Sequence, residues 1–180
     1  LMFFINKSKS NIDWNFQTNI QNQNGYRNHS ASQSSIFNFQ LKYRLKYFEK
    51  FIFSFNHLHS PYAQDPGGLT AIQVDENRFI ARSDNELYDS MESVKQSKLS
   101  LRTEKFLHKT ILFKTDLWFL NRLFENKLPF QGGGQVKLLR NYYGFHAKII
   151  HNTPIGKIYN KIMFGIEMNN QFDFRRRYDN

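Results

Sequence analysis

Side chains alternate between apolar and polar over residues 37–47, and this alternation limits the folds open to the chain more than any other feature. Each odd position holds Phe, Leu or Tyr, and each even position holds Asn, Gln, Lys or Arg. A strand with one buried face needs this period of two, whereas a helix would spread the apolar residues around its axis. The sequence therefore predicts a strand here and a second strand over residues 51–55.

Three cations of the first strand, Lys42, Arg44 and Lys46, are predicted to project from one face at a spacing of about 6.6 Å. No acidic residue alternates with them in this segment. A solvated strand face is the commoner origin of such a row, but an uninterrupted series of cations also suits contact with the phosphates of a nucleic acid.

Helical spacing predicts one short and one long helix. Ser83 and Glu86 form a capping-box pattern, followed by apolar residues at i, i+4 and i+7, which predicts a helix over residues 84–97. Apolar or small residues then recur every three or four positions, which predicts one long helix, or two broken near Thr115 and Asp116, over residues 104–128, ending before Pro129. A core helix is the favoured interpretation of this segment, and a docking face for another protein is the alternative.

Two further hairpins complete the predicted fold. One would join residues 69–74 to residues 78–82, and the other would join residues 143–149 to residues 158–168 through a turn at residues 152–156. The predicted fold class is α+β, with antiparallel β-hairpins packed with one long and one short helix.

Composition divides the chain into three regions. Residues 1–35 are an Asn/Gln/Ser-rich extension that we expect to order only on binding, residues 36–170 are a single α+β domain, and residues 171–180 are a short tail of Arg and aromatic residues. No stretch without a charged residue is longer than residues 51–64, and this is shorter than the roughly 18 to 20 apolar residues of a membrane helix, so no segment is expected to span a bilayer.

The net charge of +10 is unevenly placed: residues 1–60 carry +5, residues 61–100 carry −3 and residues 101–180 carry +8. This distribution favours two basic surfaces facing a polyanion. The chain has 19 Phe and 19 Asn, both with AT-rich codons, which is typical of a divergent protein encoded in an organelle or of a protein from an AT-rich nuclear genome. The absence of cysteine excludes a disulfide scaffold and thiolate sites.

No catalytic or metal-binding pattern stands out. His57 and His59 are the one close pair of histidines, but no acidic residue lies near them at ligand spacing, so neither a metal nor another cofactor is predicted. No nucleophile-elbow motif surrounds any serine, and the chain is not expected to be an enzyme.

Gly133, Gly134 and Gln135 resemble the GGQ tripeptide of class I peptide-chain release factors. The resemblance implies hydrolysis of peptidyl-tRNA oriented by the backbone at Gln135. The favoured interpretation is a glycine hinge.

Dispersed cations and aromatic residues are typical of proteins moulded onto folded RNA. The sequence therefore predicts a structural component of a ribosome in the mitochondrial matrix, with rRNA and neighbouring ribosomal proteins as partners and no small-molecule substrate. The alternative is a peripheral accessory subunit on the matrix side of a respiratory or ATP-synthase complex. The predicted RNA-binding residues are Lys42, Arg44, Lys46, Lys137, Arg140, Lys148, Arg175, Arg176 and Arg177.

Overall fold

A computed structural model describes residues 1–45, 49–156 and 158–180 of the chain. These residues form one antiparallel sheet in which each strand pairs with its neighbours in sequence. The eight strands are β1 (Met2–Lys9), β2 (Ile12–Gln23), β3 (Ser32–Arg44), β4 (Lys50–Gln64), β5 (Met91–His108), β6 (Ile111–Lys127), β7 (Gln135–Ile155) and β8 (Ile158–Tyr178). Two short helices, α1 (Ala71–Asn77) and α2 (Ser83–Leu87), lie between β4 and β5.

The strands lengthen along the meander, from 8 residues in β1 to 21 in both β7 and β8. Pairing of β6 with β7 and of β7 with β8 runs without a break in register, whereas the β3–β4, β4–β5 and β5–β6 pairs each contain one irregularity. The outer edges of β1 and β8 have no partner strand among the described residues. No helix in the described ranges has the length and apolar character needed to cross a membrane.

Connections at the two ends of the sheet differ in length. At one end the strands are separated by two, five, two and two residues, and at the other end by eight, 26 and seven residues. We call the second end the long-loop end. The sheet is therefore asymmetric along its strands, with its elaborate connections gathered on one side.

The 26-residue connection is fixed to the β2–β3 connection by Arg27. The guanidinium of Arg27 donates hydrogen bonds to the carbonyl oxygens of Pro66, Gly67 and Ile80 at 3.1, 2.8 and 3.0 Å. Beneath it, the side chain of Asn85 is only 2 % exposed, and its amide donates to the carbonyl oxygen of Asp65. A Cβ at Gly67, which has φ +68°, would stand 2.5 Å from Oδ1 of Asn85, so this close packing requires glycine.

The predicted α+β class is wrong, because the segment assigned to the long helix is strand. Residues 104–108 end β5, a two-residue turn follows, and β6 occupies the rest up to Lys127. The predicted short helix over residues 84–97 is reduced to the five residues of α2, since β5 begins at Met91. The sheet thus replaces both helices that would have covered it.

Of the two helices that form among the described residues, α1 lies where a hairpin was predicted, and α2 lies at the start of the predicted short helix. Residues 71–77, expected within a hairpin, form α1, whose capping box joins Thr70 and Gln73. The capping box predicted at Ser83 is absent, because Arg82 is the N-cap of α2 and makes no side-chain cap.

Other predicted strands fall inside longer ones. The strand over residues 37–47 corresponds to β3 as far as Arg44, with positions 46 and 47 outside the described residues, and the last hairpin corresponds to β7 and β8. Residues 2–9 and 12–23 form β1 and β2, and residues 171–178 belong to β8. The ordering of residues 1–35 on binding stays a prediction.

Candidate functional site

The register of the sheet separates its side chains into an apolar face and a polar face. Directly paired residues of antiparallel strands point to the same side, so a row of partners can be followed across the sheet. One such row on the apolar face contains Phe16, Phe39, Phe55, Leu99, Phe119 and Tyr143. The next row on this face contains Trp14, Leu41, Phe53, Leu101, Leu117, Phe145 and Met168.

The apolar face is the more exposed of the two faces in the middle of the sheet. On β6, Leu117 and Phe119 are 47 % and 43 % exposed, whereas Trp118 and Leu120 on the polar face are half-buried. Among the described residues the buried hydrophobic side chains are those of Ala81, Val136 and Ile150. Large apolar side chains thus lie outside, which reverses the usual arrangement of a water-soluble domain.

On β7 and β8 the apolar face forms a band of defined height. Every second residue from Leu139 to Ile149 and from Phe164 to Phe174 is apolar or aromatic, except Asn141 and Asn170. On β8 the apolar run continues by one position to Ile162, which pairs with His151 of β7. Ten residue steps span about 34 Å along a strand, which is about 26 Å in height for a strand tilted by about 40°.

Cationic side chains outnumber acidic ones on the polar face of the described residues. Twelve Lys and Arg residues and six Asp and Glu residues lie there, for a net charge of +6. The cations are Lys42, Arg44, Lys50, Lys98, Arg102, Lys114, Arg122, Arg140, Lys148, Lys161, Arg175 and Arg177, and the acids are Asp13, Glu92, Glu104, Asp116, Glu167 and Asp173.

Ion pairs cross from strand to strand on the polar face. Glu104 of β5 accepts hydrogen bonds from Lys50 of β4 at 3.1 Å and Lys114 of β6 at 3.0 Å. Arg140 of β7 binds both carboxylate oxygens of Asp173 of β8, at 2.7 and 2.6 Å. These pairs join neighbouring strands through side chains in addition to the backbone ladder.

A groove of about 430 Å³ lies on the polar face between β3 and β8. Its lining combines Trp118 with ionisable residues of both signs, namely Lys98, Arg102, Asp116, His146 and Glu167. The Asp116 carboxylate bonds Arg102 and lies 3.4 Å from Nδ1 of His146. No ion pair of Lys98 is recorded within the described ranges, so its ammonium group is available to a polar solute.

Cations predicted to bind RNA are distributed over both faces. Lys42 and Arg44 share the polar face and both pair with Asp13 of β2, an acid outside their own segment. Lys46 lies outside the described residues. Arg140, Lys148, Arg175 and Arg177 are on the polar face, whereas Lys137 and Arg176 are on the apolar side, so the three consecutive arginines do not form one cluster.

Lys137 lies beyond the apolar band, two residues from its last apolar member on β7. Its ammonium group bonds the Glu125 carboxylate, and this hydrogen bond raises the pKa of Lys137 above its usual value. The nearby Gly133 and Gly134 end the β6–β7 connection, and Gln135 begins β7 and pairs with Lys127 and Tyr178 in the sheet.

Histidines of the predicted pair make no metal site with their neighbours. Nδ1 of His57 lies 2.9 Å from the hydroxyl of Ser97 on β5. Across residues 1–45, 49–156 and 158–180, no group of three or more His, Cys, Asp or Glu side chains could hold a metal ion.

The sequence interpretation missed the apolar residues of β2. Ile12, Trp14 and Phe16 lie two residues apart on the apolar face, with polar Asp13 and Asn15 between them. This period of two was a usable signal, but the surrounding Asn, Gln and Ser obscured it.

No family model matches the chain. Among solved structures, the chain is similar to the ferric citrate transporter FecA in its unliganded form, with a TM-score of 0.82 and 18 % sequence identity. The match covers 98 % of this chain and 26 % of the transporter, so the chain spans about a quarter of the transporter's length. At this identity the likeness shows the fold.

The comparison overturns the predicted ribosomal function. A meander that superposes on a transporter supports neither a ribosomal component with rRNA and ribosomal-protein partners nor an accessory subunit of a respiratory or ATP-synthase complex. The predicted partners, including the absence of a small-molecule substrate, are contradicted by the same comparison, because the structure that the chain resembles is that of a ferric citrate transporter. The prediction of RNA binding from charge and aromatic content was misleading, because the sequence does not show which cations form ion pairs with acidic residues of neighbouring strands.

Proposed function

We propose that the chain forms part of the wall of a membrane-spanning β-barrel of a transporter, with its apolar face against lipid and its polar face towards the solute. The exposed apolar face carries this proposal. Such a surface is costly in water, whereas in a bilayer the same side chains meet acyl chains. The likeness to FecA supports the same arrangement.

Backbone hydrogen bonding supports a wall that is completed by further strands. In lipid an unpaired backbone group costs several kcal/mol, so a sheet can span a membrane only when its edges are closed. Strands β2 to β7 are paired on both sides, whereas β1 and β8 each have one open edge among the described residues. Because β1 and β8, as the structure describes them, are not paired with each other, further strands are needed to close the sheet.

Dimensions and connections agree with this orientation. The band of about 26 Å on β7 and β8 is close to the apolar band of about 25 Å found on outer-membrane barrels. Barrels of this class have short turns at one membrane surface and longer loops at the other, as the two ends of this sheet do.

The polar face suits passage of a small anionic solute. Its net charge of +6 among the described residues would attract anions into the barrel. FecA transports ferric citrate, and we propose a solute of similar size and charge without assigning its identity.

Two substitutions on β6 test the orientation. Leu117 is on the apolar face and Leu120 is on the polar face, so Leu117→Lys and Leu120→Lys place the same charge on opposite sides of one strand. We expect Leu117→Lys to make folding into lipid vesicles less favourable by about 2 to 4 kcal/mol. Leu120→Lys should cost less, because its ammonium group would meet water and the hydroxyl of neighbouring Tyr142.

Folding into vesicles is measured by protease protection and by the shift of the folded band on unheated gels. If Leu117→Lys folds as well as the parent while Leu120→Lys does not, the apolar face meets water and the proposal is wrong.

Two predictions from composition stay untested. One is that the chain is not an enzyme, and the other is that it lies in the mitochondrial matrix. Alkaline carbonate extraction releases a matrix protein, whereas a membrane-spanning wall stays in the membrane pellet. One extraction therefore distinguishes the predicted matrix localisation from the proposed membrane wall.

A further inference from the structure

The strand geometry of β8 divides the arginine triplet between the two faces. Arg175 and Arg177 point to the polar face, and Arg176 points to the apolar side, where its backbone partner on β7 is Lys137. Two cations are therefore adjacent on the outer surface, at the long-loop end of the sheet.

Both cations lie one step beyond the apolar band on their own strands. Leu139 and Phe174 are the last apolar residues of the band, and Lys137 and Arg176 occupy the next positions on the same face. The guanidinium carbon of Arg176 lies 4.5 Å from the centroid of the Phe174 ring. This contact places the charge directly over the edge of the apolar surface.

The local charges are only partly compensated. Glu125 pairs with Lys137, but no ion pair of Arg176 is recorded within residues 1–45, 49–156 and 158–180. Beside these residues lies an open groove of about 280 Å³, whose lining includes Ser93, Lys137 and Tyr178. An anion in this groove would find the ammonium group of Lys137 and hydroxyl donors together, beside the Glu125 carboxylate, whereas Arg176 lies outside the groove lining.

We propose that Lys137 and Arg176 bind the phosphate of an anionic lipid headgroup at the edge of the membrane. The inference rests on the proposed function, since it requires the apolar band to lie in the bilayer. Acyl chains packed on Leu139 and Phe174 would hold a headgroup at the height of the two cations. A free phosphate ion has no acyl chains and would lack this second attachment. The guanidinium can fork onto two phosphate oxygens, and the lysine adds a second positive charge.

The test measures lipid binding to the full protein in a maltoside detergent. Native mass spectrometry counts bound phosphatidylglycerol and, in parallel, bound phosphatidylcholine. We expect the parent protein to prefer phosphatidylglycerol, and Arg176→Gln to weaken that binding about fivefold, as for loss of one cation at an anionic surface. Arg175→Gln and Arg177→Gln remove the same charge from the opposite face and should leave binding unchanged.

A second variant keeps the test independent of lost stability. Glu125→Gln removes the acid that competes for Lys137, so phosphatidylglycerol should bind more tightly. Equal losses in Arg175→Gln and Arg176→Gln would indicate a nonspecific effect of net charge and overturn the proposal. Displacement of the lipid by millimolar inorganic phosphate would instead assign the site to free phosphate, and would also overturn it.

Insertion into vesicles is measured on the same preparations. A parent protein that inserts without preferring phosphatidylglycerol contradicts the headgroup site alone. If the Leu117→Lys variant inserts as well as the parent protein while Leu120→Lys does not, the proposed function is wrong and this inference fails with it.

Discussion

The indole ring of Trp118 on β6 lies directly over Gly144 on β7, its backbone partner in the sheet. A Cβ at position 144 would stand 2.5 Å from Cε2 of Trp118 and closer still to Cζ2. Glycine therefore leaves the space that the indole occupies, an arrangement in which an aromatic side chain covers a glycine on the neighbouring strand. Trp118 thereby contributes a large ring to the polar face without displacing the backbone.

Substitution of Gly144 by Ala should destabilise the sheet. The added methyl group would force the indole or the strands to move, at a cost of about 1 to 3 kcal/mol. Unfolding by urea in detergent measures the change. Gly132→Ala is the matched control, because nothing lies within 4 Å of a Cβ at that position.

A double substitution separates the clash from other effects of alanine. In Trp118→Leu the ring is gone, so adding Gly144→Ala should cost less than it does in the parent protein. If the two changes are simply additive, the indole is not what excludes a side chain at position 144.

Glu104 is expected to stabilise the polar face by joining three strands. Glu104→Gln would leave Lys50 and Lys114 without their shared carboxylate, and the side chains involved are largely screened from solvent. We expect a loss of about 1 to 3 kcal/mol in the free energy of unfolding, between the values of exposed and buried pairs. The urea midpoint of the detergent-solubilised protein measures this loss.

Glu92→Gln is the comparison variant, since Glu92 lies on the same face of β5 and no ion pair of it is recorded in the described part of the chain. High salt should reduce the difference in the free energy of unfolding between Glu104→Gln and Glu92→Gln, because it screens the ion pairs of Glu104. Equal stabilities at low salt would mean that the three-strand network contributes nothing measurable.

The sequence was sufficient for strands whose two faces differ cleanly. In β3 every apolar side chain from Phe37 to Tyr43 is on one face, so the period of two is visible in the sequence. On β6 the polar face also carries large apolar residues, among them Trp118, Leu120 and Phe124. Leu120 and Phe124, combined with Leu117 of the other face, produce a three-and-four spacing that imitates a helix.

The candidate site was harder to predict because its charges are organised between strands. Asp13 lies 29 and 31 residues from Lys42 and Arg44 in the chain, yet pairs with both. Sequence alone does not give the register that brings these residues together, nor the direction of Arg176 relative to its neighbours. Assigning each side chain to a face of the sheet requires knowledge of how whole strands pair.

Arg27 should control the stability of the 26-residue connection. Its three hydrogen bonds from a charged group to carbonyl oxygens hold residues 66, 67 and 80 together, and Arg27→Ala would remove all of them. We expect hydrogen exchange in residues 65–90 to accelerate about tenfold or more, without change in β6 to β8. The effect should be seen by mass spectrometry of peptic fragments.

Arg78→Ala provides the control for Arg27, because Arg78 is exposed and no side-chain hydrogen bond of it is recorded in the described ranges. Arg27→Lys is also informative, since one ammonium group cannot reproduce the planar fork that reaches three carbonyl groups. Full protection in Arg27→Lys would show that charge alone, and not the fork, anchors the connection.

Thiol labelling can determine which face meets water, because the chain has no cysteine of its own. Ser100 lies on the polar face and Leu101, its neighbour on β5, lies on the apolar face. In vesicles, we expect a membrane-impermeant maleimide to label Ser100→Cys and to leave Leu101→Cys unreacted, since lipid excludes both water and the reagent. A sheet with water on both sides would give the opposite order, because Leu101 is 37 % exposed whereas Ser100 is half-buried. Preferential labelling at position 101 in vesicles would therefore contradict a lipid-facing apolar surface, and labelling of both positions after urea treatment confirms that each thiol can react.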